Sequence, residues 1–228
     1  MKEKLKIFVV IAAYNEEKAI SKVIEDLKKE GYHNIIVVDD GSSDKTYEIA
    51  LKKKVIALRH IINRGQGAAL KTGIEYAIKK NADIIITFDA DGQFLARDIK
   101  NMIKPIVNKE ADITLGSRFL GKAINIPFFK KIILKIGVIV VYLLYGIKVT
   151  DSQCGFRAIS LEAAKKIEIT SDRMEHAGEF FSEIMRHRLT YKEVPITVIY
   201  SKYSVLKGQS WDRSFVLGFK MLLKKLLK

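Results

Sequence analysis

The chain has 228 residues, and 40 lysines and arginines against 26 aspartates and glutamates leave it at +14. That length suits one large domain, and a composition 48% hydrophobic and 29% charged lies outside the disordered class. One cysteine, Cys154, excludes an internal disulfide, and with no Cys/His cluster a structural zinc site is excluded too.

In chain order, the opening MKEKLKIFVVIAAYNEE has the charged start of a secretory signal. Its apolar run is short, no small-residue cleavage site follows, and Asn15-Glu16-Glu17 ends it, so it reads as a first strand. Further apolar, β-branched runs at 35–38, 55–58, 84–88 and 113–115 predict strands. Between them, 16–29, 44–53, 67–79 and 99–108 read as helices. Strands alternating with helices predict an α/β fold, a mostly parallel sheet with helices on both faces. Ligands of such sheets sit beyond the carboxyl ends of the strands. Those ends are Tyr14-Asn15-Glu16, Asp39-Asp40-Gly41, Asn63-Arg64-Gly65, Asp89-Ala90-Asp91 and Gly116-Ser117-Arg118, all polar, charged or glycine-rich.

After Gly116 the rhythm breaks. From Arg118 to Thr150 there are basic residues and no acidic one, which suits a polyanionic partner. Within it, 132–147 is apolar except for Lys135 and two glycines. A bilayer span needs about 20 apolar residues, so this stretch reads as a helix either buried or lying in a membrane interface. A late strand follows at 194–200. In 214–228, Phe215, Phe219, Leu222, Leu223 and Leu226 share one helical face, with lysines opposite. That pattern fits a basic amphipathic helix on an anionic membrane or one packed on the protein's own core. The expected division is a catalytic domain over 1–213 and this helix over 214–228.

Asp89 and Asp91 follow a buried strand, so two carboxylates one residue apart can face a divalent cation, with the Gln93 amide as a further oxygen donor. Asp39 and Asp40 stand at a strand end where carboxylates can bind ribose hydroxyls or a base N–H. Ser43 or Asp44 is placed to cap the next helix. Asn63-Arg64-Gly65-Gln66-Gly67 opens another helix, either as an anion site or as a tight turn. It lacks a Walker lysine-serine pair and does not match GxGxxG, so neither a P-loop nor a Rossmann dinucleotide site is supported.

The pieces AAYNEE (12–17), VVDDGSSDKT (37–46), NRGQGAALKTG (63–73), TFDADGQF (87–94), LGSRFL (115–120), TDSQCGFRA (150–158) and EVPI (193–196) resemble glycosyltransferase family 2. The similarity is to the branch containing dolichyl-phosphate mannose and glucose synthases, and it spans almost the whole chain in order. The resemblance implies a GT-A fold, a nucleotide-sugar donor, and Mg2+ or Mn2+ as cofactor. It implies donor contacts at Tyr14, Glu16, Asp40 and Ala90, with Asp39 beside them. It places metal and diphosphate at Asp89, Asp91 and Gln93, and the acceptor phosphate at Arg118 with Ser117. Asp151 and Gln153 would line the sugar and acceptor side. Lys130 and Lys131 stand where arginine is common, keeping charge but losing bidentate geometry. The segment 200–210 resembles a donor-closing loop, with Lys202 and Lys207 as its candidates. Ala12 stands in place of the usual proline.

A polyprenyl phosphate is already an anion near neutral pH, so its oxygen can attack the anomeric carbon without a strong base. Single-step inversion follows. A saccharide hydroxyl, the alternative acceptor, needs a carboxylate base, for which Asp151 is the first candidate and Glu175 or Glu179 the next. A nucleotidyltransferase would also use paired carboxylates and a metal. Nucleic acid is not an expected partner, because the basic segments are aliphatic rather than interleaved with aromatics. The expected location is the cytoplasmic side, peripheral on the inner face of the cell membrane. Family members that append transmembrane helices are longer, so anchoring falls to the two amphipathic segments or to a separate membrane subunit.

Overall fold

The structure is a computed structural model, and it describes residues 5–207. The C-terminal helix expected over 214–228 lies outside the described residues. Seven strands form one sheet in the order β3-β2-β1-β4-β6-β5-β7. They are β1 (Ile7–Ala13), β2 (Ile35–Asp39), β3 (Ile56–Arg59), β4 (Ile84–Asp89), β5 (Ile113–Ile124), β6 (Arg157–Ser160) and β7 (Tyr191–Ile199). β1 pairs in parallel with β2 and β4, β2 with β3, and β5 with β7. β6 runs antiparallel to both neighbours, β4 and β5.

The central strands are buried on both faces, which is why they read as continuous apolar runs rather than as alternation. Val9 and Ile11 of β1 face one core, with Ile20, Val23, Ile24 and Leu27 of α1 (Ile20–Lys29), Ala50 of α2 (Thr46–Lys52), and Ile99 and Met102 of α4 (Ile99–Val107). Phe8 and Val10 face the other. There they meet Ala69, Leu70, Ile74 and Ala77 of α3 (Gln66–Lys79), Ala163 and Ala164 of α6 (Leu161–Lys166), and Phe180, Phe181 and Ile184 of α7 (His176–Arg186). The expected α/β architecture is therefore present, with helices on both faces.

Three local differences from the sequence expectation matter for the site. α1 starts at Ile20 rather than at residue 16, because Glu16 closes a turn whose carbonyl accepts from the N–H groups of Ala19 and Ile20. That turn leaves Tyr14 to Glu16 on the loop above β1. β5 continues far beyond Leu115, through a bulge between Ser117 and Lys122, because β7 pairs with it as far as Ile124. The short β6 was not expected; it carries Arg157 into the centre of the sheet.

α5 (Phe128–Tyr145) begins after Pro127 and ends where Gly146 takes φ 69°. Only Leu134, Val141 and Leu144 are buried, and the helix packs on α7. Phe128, Phe129, Ile132, Ile136, Ile139 and Leu143 are exposed, Phe128 and Leu143 each to 72%. The helix is not wholly buried: one face is packed and, among the described residues, the other is an exposed apolar stripe. Among the described residues no helix is long and apolar enough to cross a membrane.

Candidate active site

A cavity of about 780 Å³ opens over the carboxyl ends of β1 and β4, walled by the start of α5 and by α8 (Lys202–Lys207). The topology expected for ligand binding in such sheets is thus realised. The lining includes Tyr14, Glu16, Asp40, Asp89, Ala90, Asp91, Gln93, Arg118, Lys130, Gln153 and Lys207 from the sequence expectation. Asp39, Ser117, Lys131 and Asp151 are not among the lining residues.

At one end, the carboxylate of Glu16 accepts from the Tyr203 hydroxyl at 2.8 Å and pairs with Lys207 Nζ at 2.8 Å. Lys207 also donates to the Tyr14 carbonyl at 3.0 Å and to the Asn15 carbonyl. α8 is therefore clasped to the loop after β1 by one lysine and one tyrosine. Asp40 lines the cavity, and its carboxylate holds the neighbouring turn. It accepts from the N–H groups of Arg64 at 3.0 Å and Gly65 at 2.6 Å, and meets His60 Nδ1 at 2.7 Å. Asp39 is fully buried; its Oδ2 pairs with Arg59 Nε at 3.1 Å, and its Oδ1 has no partner among the described residues. Burial pushes its carboxyl pKa up.

In the middle lie the paired carboxylates. Asp89 Oδ1 accepts from Gln66 Nε2 at 3.2 Å, and Asp91 Oδ1 accepts from the Gln93 N–H at 3.0 Å. Burial, and then the charge of Asp91, push Asp89 well above the ordinary carboxylate range; burial, and then the charge of Glu16, do the same to Asp91. Two neighbouring carboxylates, both raised by burial and by nearby negative charge, suit a positively charged ligand. Gly155 shapes it: a Cβ there would lie 2.7 Å from Asp89 Oδ1. The donors are all oxygens, which suits Mg2+ or Mn2+, with the remaining positions left to phosphate and water. Among the described residues no group of three or more His, Cys, Asp or Glu is gathered that could hold a metal. The fit therefore rests on Asp89 and Asp91, with the Gln93 amide beside them.

At the far end, Arg118 is buried and firmly held. Its Nε donates to Asp151 Oδ2 at 2.5 Å, its Nη2 to the Gln153 carbonyl at 3.1 Å, and its Nη1 to the Tyr200 hydroxyl. Burial is the largest influence and works against its charge, but Asp151 together with Cys154 and Tyr200 outweighs it, and the guanidinium pKa goes up. Of its five N–H donors, these bonds engage three, and among the described residues the other two have no partner, which leaves them to a ligand. Lys130 Nζ lies 5.1 Å over the Tyr200 ring, and burial, then the charge of Arg118, push its pKa down. Asp151 serves the pair from behind: Oδ2 also accepts the Arg118 N–H and Oδ1 the Gln153 N–H. Ser117 is buried on Thr150, and Lys131 faces solvent.

Gln66, Gly155, Arg157 and His176 also line the cavity; sequence reasoning placed Gln66 in the turn at 63–67 and gave the other three no role. Arg157 and Gly155 stood within the quoted TDSQCGFRA piece. His176 is the first residue of α7, and only the position of that helix brings it to the cavity.

Residues 8–168 match the family model described as glycosyl transferase family 2. A protein of Methanocaldococcus jannaschii described as uncharacterized is 48% identical over 96% of this chain and 92% of its own length. The UDP-N-acetylglucosamine–dolichyl-phosphate N-acetylglucosaminyltransferase of Methanococcus voltae is 38% identical over 100% of this chain and 99% of its own. Among solved structures, glucosyl-3-phosphoglycerate synthase from Mycobacterium tuberculosis, in complex with Mg2+ and UDP, superposes with a TM-score of 0.74. It is 16% identical and aligns over 98% of this chain and 80% of its own, a likeness of fold that agrees with the GT-A expectation. The chain belongs to glycosyltransferase family 2.

Proposed function

We propose that this chain transfers a sugar from a nucleoside-diphosphate donor to the phosphate of a polyprenyl lipid. The observation that carries the reading is the layout of one cavity: an acidic centre at Asp89 and Asp91, a cationic end at Arg118 and Lys130, and at that end the exposed apolar face of α5. A phosphate carried on a hydrocarbon chain matches such an end in both its parts. The M. voltae relative is named for a dolichyl-phosphate acceptor and a UDP-sugar. A UDP-sugar is therefore the first donor to test, with GDP-sugars next.

In this reading the donor nucleotide lies along Tyr14, Glu16 and Asp40, and Lys207 and Tyr203 exchange their hold on Glu16 for the donor as α8 closes. Asp89, Asp91 and Gln93 would hold Mg2+ or Mn2+, which would supply Lewis-acid neutralisation of the departing diphosphate. Arg118 and Lys130 place the lipid phosphate oxygen for in-line attack on the anomeric carbon. That oxygen is already anionic, so the protein positions it rather than deprotonating it, and the anomeric configuration inverts in one displacement. Asp151, the base that a saccharide hydroxyl would require, is engaged with Arg118 and does not line the cavity. This favours the phosphate acceptor over the hydroxyl.

The membrane is approached through α5. Its outward residues would sit at the boundary of headgroups and acyl chains, with Lys131 and Lys135 close to anionic headgroups. The protein would then act as a peripheral enzyme on the cytoplasmic face, alone or with a membrane subunit. The test is product extraction: with donor, Mg2+ and a polyprenyl phosphate, labelled sugar should move into the organic phase. Label transferred instead to a water-soluble saccharide would overturn the reading.

A further inference from the structure

Arg157 is 3% exposed and lines the cavity, yet among the described residues its guanidinium makes no hydrogen bond and no ion pair. It stacks on the Phe180 ring, 4.3 Å from the centroid, and Asp89 is the carboxylate whose charge it feels. A guanidinium carries five donors, and those that find no partner within the protein are left to a ligand in the cavity. Phe180 lies one turn along α7 from His176, so these two share a face of the helix.

His176 is 4% exposed and also lines the cavity. Its Nδ1 lies 2.8 Å from the Arg173 carbonyl, so Nδ1 carries the proton and donates. Burial, and then the charge of Arg157, push its pKa down to about 4, which keeps the ring neutral. Nε2 therefore presents a lone pair and has no partner among the described residues. A cluster of donors stands beside an acceptor, both buried, on the α7 side of the paired carboxylates. A second anion is disfavoured there, because it would meet both that lone pair and Asp89. A neutral group that accepts from one residue and donates to the other satisfies both.

We infer that Arg157 and His176 form the subsite that recognises the sugar being transferred, gripping a ring hydroxyl or an amide substituent between the guanidinium and the imidazole Nε2. This deepens the proposed function and rests on it. Of the two groups, an acetamido offers its carbonyl to Arg157 and its N–H to His176, whereas a hydroxyl serves both with one oxygen. The diphosphate is held elsewhere, so the pair affects sugar recognition and not nucleotide binding.

The test measures, in the presence of Mg2+, the binding of UDP, UDP-glucose and UDP-N-acetylglucosamine by calorimetry, and lipid-dependent kcat/KM for each sugar. Wild type is compared with Arg157→Met, Arg157→Lys, His176→Phe and His176→Gln. The expected result is a loss of about tenfold or more in nucleotide-sugar affinity for Arg157→Met and His176→Phe, with UDP affinity within about twofold of wild type. The Lys and Gln variants should recover part of the loss. If the group is an amide, the loss falls on UDP-N-acetylglucosamine; if a hydroxyl, both sugars fall together. Equal loss for UDP and its sugars, or no change in any, overturns the assignment. Should the wild-type enzyme turn over neither UDP-sugars nor GDP-sugars, the proposed function itself fails, and this subsite with it.

Discussion

Arg118 and Asp151 form a buried pair in which one carboxylate oxygen accepts twice from the same residue, from Nε at 2.5 Å and from the backbone N–H at 3.1 Å. The bulged strand β5 and the loop before β6 are thereby locked together behind the cationic end of the cavity. Asp151→Ala would strand a buried guanidinium and should cost about 3–5 kcal/mol of stability. Asp151→Asn keeps the shape and one acceptor, so it should raise KM for the lipid phosphate while kcat falls little. Steady-state kinetics in both substrates check this. A collapse of kcat with unchanged KM would instead make Asp151 a base.

The paired carboxylates give a second expectation. Asp91→Ala should lower turnover by about a thousandfold or more by removing the hold on the diphosphate's counter-charge. Gly155→Ala puts a methyl 2.7 Å from Asp89 Oδ1, and it should weaken Mn2+ binding, read by titration, with little change in melting temperature. Normal Mn2+ affinity in Gly155→Ala would mean that Asp89 does not hold the metal.

The apolar face of α5 predicts membrane association. Ile139→Glu with Leu143→Glu should greatly reduce co-sedimentation with anionic liposomes, since both side chains face solvent and neither supports the core. Activity on a detergent-dispersed acceptor should persist. Undiminished sedimentation would show that another part of the chain, such as the 214–228 segment, carries the attachment.

His176 predicts a pH dependence of stability. Its folded pKa, about 4, lies below the ordinary value of 6.5, so the unfolded chain takes up the proton first. Its contribution is complete above about pH 6.5 and is lost as pH falls towards 4, at up to about 1.4 kcal/mol per pH unit. Asp89 and Asp91, whose raised carboxyls act in the opposite sense over the same window, are common to wild type and variant, so the wild-type denaturation midpoint should fall relative to that of His176→Gln as pH drops from 6.5 to 4. An identical slope in the variant would contradict the burial of a neutral imidazole.

Much of this was legible from residues 7 to 116, where strand runs and their polar ends follow one period and the ligand end is set by topology. Asp89 and Asp91 were readable because a pair of acids directly after IIITF has few structural uses. What escaped depends on distant pairing. β6 has only four residues and is recognisable as a strand only between β4 and β5. Arg157 rides on it, so its place in the cavity was hidden as well. Asp151 and Ser117 sit in polar stretches resembling the family's acceptor side, but burial behind Arg118 turns them from the cavity. Asp40 was expected at the nucleotide; it lines the cavity, with its carboxylate holding the turn at Arg64 and Gly65. The alternative of a buried or interfacial helix over 132–147 could not be decided from hydropathy, because α5 packs one apolar face and exposes the other.

The most direct test of the central claim is release of nucleoside diphosphate from UDP- and GDP-sugars with Mg2+ or Mn2+, measured with and without a polyprenyl phosphate. The account predicts release from one donor that rises sharply when the lipid phosphate is added and is lost in Asp91→Ala. Release that ignores the lipid, or appears as pyrophosphate, would contradict it.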